Sequence, residues 1–152
     1  PAKLTQFKRR TWLKAFSLLG YKVVDASLYG DTETRGVIKF MQEIKEGHDA
    51  AIAVDGPAGP IYQAKEGAVY LAKKTGAVIL PVAAEVTKKT VKDSQWDKLF
   101  IPKLFSKGAL VFGEPIRVPA NADENLIHNL TLKLQSSLNH LTYQARNQVL
   151  PN

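Results

Sequence analysis

The run Asp55-Gly56-Pro57-Ala58-Gly59-Pro60 carries the clearest chemical pattern in the chain. It can form neither helix nor sheet ladder, because its prolines lack an N–H and its glycines have no side chain to pack. Gly56 and Gly59 let backbone N–H groups come close to a ligand. Pro57 and Pro60 restrict the loop, so less entropy is lost when something binds. These residue types suit contact with an anion or an oxyanion. A tight turn in which Asp55 caps its own backbone is the alternative reading.

Other chemistries find less support. No Gly-x-x-x-x-Gly-Lys-Ser/Thr and no Gly-x-Gly-x-x-Gly occurs, which removes the usual phosphate cradles for nucleotides. There is no Gly-x-Ser-x-Gly elbow and no cysteine, so thiol nucleophiles, disulfides and cysteine zinc sites are excluded. The histidines His48, His128 and His140 form no His-Glu-x-x-His pattern and read as surface or packing residues; no metal site is expected.

The loop needs elements to hold it. Ala50–Val54 before it and Ala77–Val82 after it are continuous apolar runs, the pattern of strands buried on both faces. Lys65–Thr75 between them reads as a helix stopped by Gly76, so the segment predicts a right-handed βαβ unit with the loop at a strand's carboxyl end, where sites gather in open α/β sheets. Upstream, Thr5–Leu19 predicts a helix stopped by Gly20, and Tyr21–Ala26 a short strand. Asp31 or Thr32 caps a further helix in which Val37, Ile38, Met41 and Ile44 recur at helical spacing before Gly47. Ala109–Phe112 predicts a strand. The Leu126, Ile127, Leu130, Leu134, Leu138, Leu141 series predicts a long amphipathic helix from Asp123 to about Gln148. The fold class expected is α/β, a mostly parallel sheet flanked by helices and closed by that long C-terminal helix.

At 152 residues, with 45% hydrophobic and 23% charged residues, the chain has the composition of one globular domain with a core of its own. No apolar run approaches the roughly 18 residues of a membrane span, and Pro1-Ala2-Lys3-Leu4 does not open a secretory signal. The formal charge of +7 is unevenly placed: Lys3, Lys8, Arg9, Arg10, Lys14 and Lys22 all precede the first acid, Asp25. A basic N-terminal segment on a nearly neutral remainder is what a protein meeting phosphate carries, in lipid or in nucleic acid.

Three blocks of residues together resemble the core of the lysophospholipid acyltransferase superfamily. They are Ala51–Pro60, Lys65–Ala72 and Thr75–Val82. The segment Gln95-Trp96-Asp97-Lys98-Leu99-Phe100-Ile101-Pro102, with Phe105 and Gly113-Glu114-Pro115-Ile116 beyond it, is similar to a bacterial branch that carries Asp-Gly-Pro where the superfamily has Glu-Gly-Thr. Leu19–Val24 and Thr34-Arg35-Gly36 resemble the block upstream, and the likeness covers about residues 13 to 118.

The resemblance implies transfer of an acyl chain from a thioester donor, acyl-CoA or acyl carrier protein, to a hydroxyl of a lysophospholipid or related lipid, with no other cofactor. It implies substrate contacts from Asp55, Gly56, Pro57, Gly59, Lys65, Gly67, Arg35, Pro81, Trp96 and Asp97. It also implies a cytoplasmic protein attached peripherally to the inner face of an anionic membrane. The family's base is a His-x-x-x-x-Asp motif, in which a carboxylate-held histidine takes the alcohol's proton. No such motif occurs in these residues. The expectation is that it precedes Pro1 and that residues 1–152 are one acyltransferase-like domain lacking its N-terminal strand and helix. Ala58 stands where relatives of the branch often place Arg or Lys, removing an evident phosphate partner. The alternative is a non-catalytic protein that uses the basic N-terminal helix on lipid or nucleic acid. Lys8-Arg9-Arg10-Thr11-Trp12 fits such a surface, but no nucleic-acid-binding signature accompanies it, so nucleic acid is the disfavoured partner.

Overall fold

A computed structural model describes residues 33–56, 59–91, 98 and 100–150. The chain divides into two compact units, Pro1–Gly47 and His48–Asn152. In the first, the described element is helix α1, Glu33–Lys45. It ends where Glu46 N–H donates to Gln42 O at 2.9 Å and Gly47 N–H to Ile44 O at 3.1 Å. Gly47 then leaves the helix at φ +92°, a left-handed conformation that glycine adopts without strain. The expected helix after Asp31 and Thr32 is therefore present. The expected Thr5–Leu19 helix and Tyr21–Ala26 strand lie outside the described residues.

The second unit is built on its longest element. Helix α3, Glu124–Val149, begins at Asp123, whose side chain accepts from Leu126 N–H. Its apolar series at three- and four-residue spacing buries Ile127, Leu134, Leu141 and Ala145. Strand β1, Val82–Val86, pairs antiparallel with β4, Gly108–Phe112, in the register Val82 to Phe112 and Glu85 to Ala109, and α3 packs on both. The pairing runs on through Gly113 N–H to Pro81 O at 2.9 Å and a bridge between Ile79 and Ile116. A second small sheet joins β2, Lys89–Val91, antiparallel to β3, Phe100–Pro102. Helix α2, Gly67–Thr75, closes on Gly76 at φ +76° and contributes Val69, which is fully buried beside Ile116, Ala122, Ile127 and Leu134.

The mostly parallel sheet is not what forms. The described strands make two small antiparallel sheets, and the βαβ unit is replaced by local structure around the loop. Ala50–Ala53 are exposed and unpaired as strand, and the segment turns at Val54–Gly56, where Gly56 N–H donates to Ala53 O and Lys65 N–H to Val54 O. The physical reason is composition: three of the five residues Ala50–Val54 are alanine, which has little to offer a pleated surface. Ala77–Val82 fails as a doubly buried strand for a different reason. From Ala77 to Glu85 burial alternates, with Ile79, Pro81 and Glu85 turned inward and Val78, Leu80 and Val82 outward. That is a one-faced antiparallel ribbon, whose outer face also carries the exposed Leu110 and Phe112. Three elements follow the sequence closely: α2 starts two residues after Lys65, β4 begins one before Ala109, and α3 spans the expected region; β2 and β3 fall where no strand is expected. Among the described residues no helix is long and apolar enough to cross a membrane.

Candidate functional site

The loop after Val54 borders a cleft of about 480 Å³. Val54, Asp55 and Ile61–Ala64 form one wall, Val82–Glu85 of β1 another, and Gln135, Leu138, Asn139 and Thr142 of α3 a third. Lys89, Val91, Lys98 and Phe100 complete the lining. β1 hydrogen-bonds to β4 along one edge and has no strand on the other among the described residues. Two backbone contacts hold the loop to this frame. Lys65 N–H donates to Val54 O at 2.7 Å, and Ala64 N–H donates to Gln135 Oε1 at 3.0 Å. The second fixes the Gln135 side chain with its oxygen on the loop, leaving the NH₂ end as a donor.

The strongest interaction in the cleft is an ion pair. Glu85 is 8% exposed, and both its carboxylate oxygens accept from Lys89 Nζ at 2.6 Å. Oε1 also accepts from Val86 N–H at 2.7 Å. Lys89 Nζ lies 5.0 Å from the centroid of the Phe100 ring, which holds the cation from a second side. Burial pushes the Glu85 carboxyl up, but the hydrogen bonds from Lys89 and Val86 and the charges of Lys89 and Arg146 outweigh it. The carboxyl sits below its ordinary value.

Two of the three non-glycine residues with positive φ among the described residues lie at the same place. Tyr62 at φ +66° and Lys98 at φ +45° are non-glycine residues in the left-handed region, and both line the cleft. Such residues cost on the order of 1 kcal/mol or more and cluster where a chain must present a side chain in a fixed direction. The lining as a whole is amphipathic. Ile61, Val82, Val91, Phe100 and Leu138 offer apolar contact, while Gln63, Gln135, Asn139, Thr142, Asp55 and Lys98 offer polar groups. This combination suits an amphipathic ligand, with an apolar part against the first set and a polar part reaching the second.

The structure distributes the expected site residues unevenly. Asp55 is half-buried on the cleft wall and Gly56 follows it at φ +71°, while Gly59 is buried, also with positive φ, before a cis bond to Pro60. Lys65 is exposed, and its Cγ is the atom nearest to where a Cβ on Gly56 would stand, at 3.7 Å. Gly67 opens α2 with open space around it. Pro81 is fully buried immediately before β1 and is not among the residues that line the cleft. Arg35 lies on α1 in the first unit. Pro57, Trp96 and Asp97 lie outside the described residues. Among the described residues no histidine lines the cleft; His128 instead faces Glu66 at 3.5 Å on the surface.

Sequence reasoning missed Glu85, Lys89, Gln135, Asn139 and Thr142. A signal for the last three existed: polar residues at 135, 139 and 142 recur at helical spacing beside the apolar stripe of α3. Glu85 also stands out as a lone acid in an apolar strand.

No protein-family profile matches the chain, and no solved structure matches it. An uncharacterised protein of Rickettsia prowazekii (strain Madrid E) is 25% identical over 112 residues, covering 72% of this chain and 50% of that protein. The chain thus spans about half the length of the curated relative it matches.

Proposed function

We propose that this chain forms the substrate-binding part of a lysophospholipid acyltransferase-like protein. The reaction moves an acyl chain from acyl-CoA or acyl carrier protein to a hydroxyl on a lysophospholipid or related lipid. The observation that carries the reading is the position of Asp55, at the start of the glycine- and proline-rich loop and on the wall of an amphipathic cleft. In the reaction the acceptor oxygen forms a bond to the thioester carbonyl carbon, the carbon–sulfur bond breaks, and the acceptor's proton passes to a base before reaching the thiolate. Because His-x-x-x-x-Asp does not occur in these 152 residues, the proposal gives them the binding and orienting of substrate and not the proton transfer. The apolar lining around Phe100 and Leu138 would take acyl chain, and Asp55 and the α3 amides would take the acceptor's polar end. The basic residues before Asp25 favour a peripheral position at the inner, anionic face of the membrane, each worth roughly 1 kcal/mol if it lies near the surface.

The test is acyl transfer by the full-length protein from both donors to a lysophospholipid, with Asp55→Asn as the variant. Loss of one hydrogen bond to a polar substrate group predicts about a 10- to 100-fold lower rate with an unchanged Tm. Equal loss of stability and rate would make Asp55 a turn residue only. Lipid binding without transfer by the full-length protein would favour the non-catalytic reading.

A further inference from the structure

Between β3 and β4 the chain turns through Lys103-Leu104-Phe105-Ser106-Lys107, and Leu104 and Phe105 are 85% and 94% exposed. Scattered exposed hydrophobics are ordinary, but these two are adjacent and held outward by the backbone. Ser106 N–H and Ser106 Oγ both donate to Lys103 O, at 3.2 and 2.6 Å. Phe105 stands at φ +59°, which a bulky side chain adopts only when its surroundings impose it. Both arms of the turn are tied to one short segment: Lys103 N–H donates to Lys88 O at 2.9 Å, and Thr87 N–H to Lys107 O at 2.8 Å. Exposed Lys88, Lys103 and Lys107 therefore stand at the base of a rigid apolar apex. No acidic residue occurs from Lys98 to Gly113.

From this arrangement we infer that the Leu104–Phe105 apex is a membrane-insertion point, entering the interface of an anionic bilayer while the three lysines meet lipid phosphates. The geometry selects this occupant. Two side chains on a convex apex fall far short of the roughly 800 Å² per partner that a stable protein interface buries. A bilayer needs no complementary groove, and its anionic headgroups match the ring of lysines. The inference rests on the lipid reading above for its choice of surface, and it adds an attachment point made of residues other than those lining the cleft.

Flotation of the full chain with vesicles of phosphatidylcholine, alone or mixed with phosphatidylglycerol, tests it. Wild type binds the mixed vesicles and is weakened by salt. Leu104→Ser with Phe105→Ser lowers partitioning about tenfold or more, and Lys103→Gln with Lys107→Gln lowers it by a similar factor only on the anionic vesicles. All forms keep the wild-type Tm, since the altered side chains are exposed. Wild-type failure to bind, or unaltered binding by the Leu104/Phe105 variant, overturns the inference. So does a change in oligomeric state in that variant with vesicle binding intact, which would assign the apex to a second copy. Transfer to a short-chain lysophospholipid below its micelle concentration is measured in parallel. Transfer retained by the Leu104/Phe105 variant, with vesicle binding lost, supports the apex. Absence of transfer in wild type with apex-dependent vesicle binding removes the catalytic reading and leaves the apex standing.

Discussion

Replacing Glu85 by Gln removes the charge that holds Lys89 in the cleft, and the structure sets the size of the effect. Breaking a fully buried ion pair by removing one partner costs about 3–5 kcal/mol, whereas an exposed pair is worth about 0–1 kcal/mol. Here the Glu85 side chain is 10% exposed and that of Lys89 29%, so Lys89 can turn its ammonium toward water once released. The expected cost of Glu85→Gln is therefore intermediate, about 1–3 kcal/mol, or a fall in Tm of about 2–12 °C for a chain of this size. Lys89→Met is expected to cost at least as much, because the carboxylate it leaves behind has no comparable route to solvent. The pH dependence has a definite sign. The folded carboxyl lies below its ordinary value of 4.5, so the pair's contribution is complete above that value and is lost as pH falls through the lower, folded one. Urea unfolding of wild type and Glu85→Gln across the acid range should show a gap that is constant near neutrality and closes in acid. Equal stability at neutral pH, or a gap that persists unchanged into strong acid, would refute the reasoning.

Two further substitutions probe the frame around the cleft. A Cβ on Gly113 would stand 2.9 Å from both Leu141 Cδ1 and Ser137 Oγ and 3.3 Å from Pro81 Cβ. Gly113→Ala should therefore lose about 0.5–2 kcal/mol by urea unfolding, the overpacking outweighing the smaller entropic gain of alanine in the unfolded chain; a more stable variant would show that α3 gives way freely. Asp123→Ala removes the acceptor of Leu126 N–H, a 2.8 Å bond, and should cost about 1 kcal/mol; no change in Tm would mean that the first turn of α3 is held by packing alone.

The helices were legible because their signals are local. Gly47 and Gly76 mark the ends of α1 and α2, Asp123 caps α3, and a helical apolar period runs along α1 and α3. Of the strands, β4 was legible at Ala109–Phe112, but the Ala50–Val54 and Ala77–Val82 runs were not, because a continuous apolar run has no period to read. Val78, Leu80 and Val82 are as hydrophobic as residues facing a core, yet they form the outer face of the β1–β4 ribbon, and only pairing with a distant strand decides which side is covered. The candidate site divides in the same way. Gly56 and Asp55 announced themselves through turn chemistry, whereas the Glu85–Lys89–Phe100 cluster exists because the chain turns at Thr87 and β2 pairs with a strand some ten residues on, a geometry set by tertiary structure. Pro81 was expected at the ligand and lies in the core because the alternation of its strand turns it inward.

The proposed place of lipid acyl chain is the cleft beside Asp55. A fatty-acyl probe bearing a diazirine near its terminus, crosslinked to the full-length protein and mapped by mass spectrometry, tests that directly. Labelled peptides should contain Ile61–Ala64, Phe100 or Leu138–Thr142, and an excess of unlabelled acyl-CoA should suppress them. Label spread over the exposed surface, or confined to the Leu104–Phe105 apex with none in the cleft, would contradict the account.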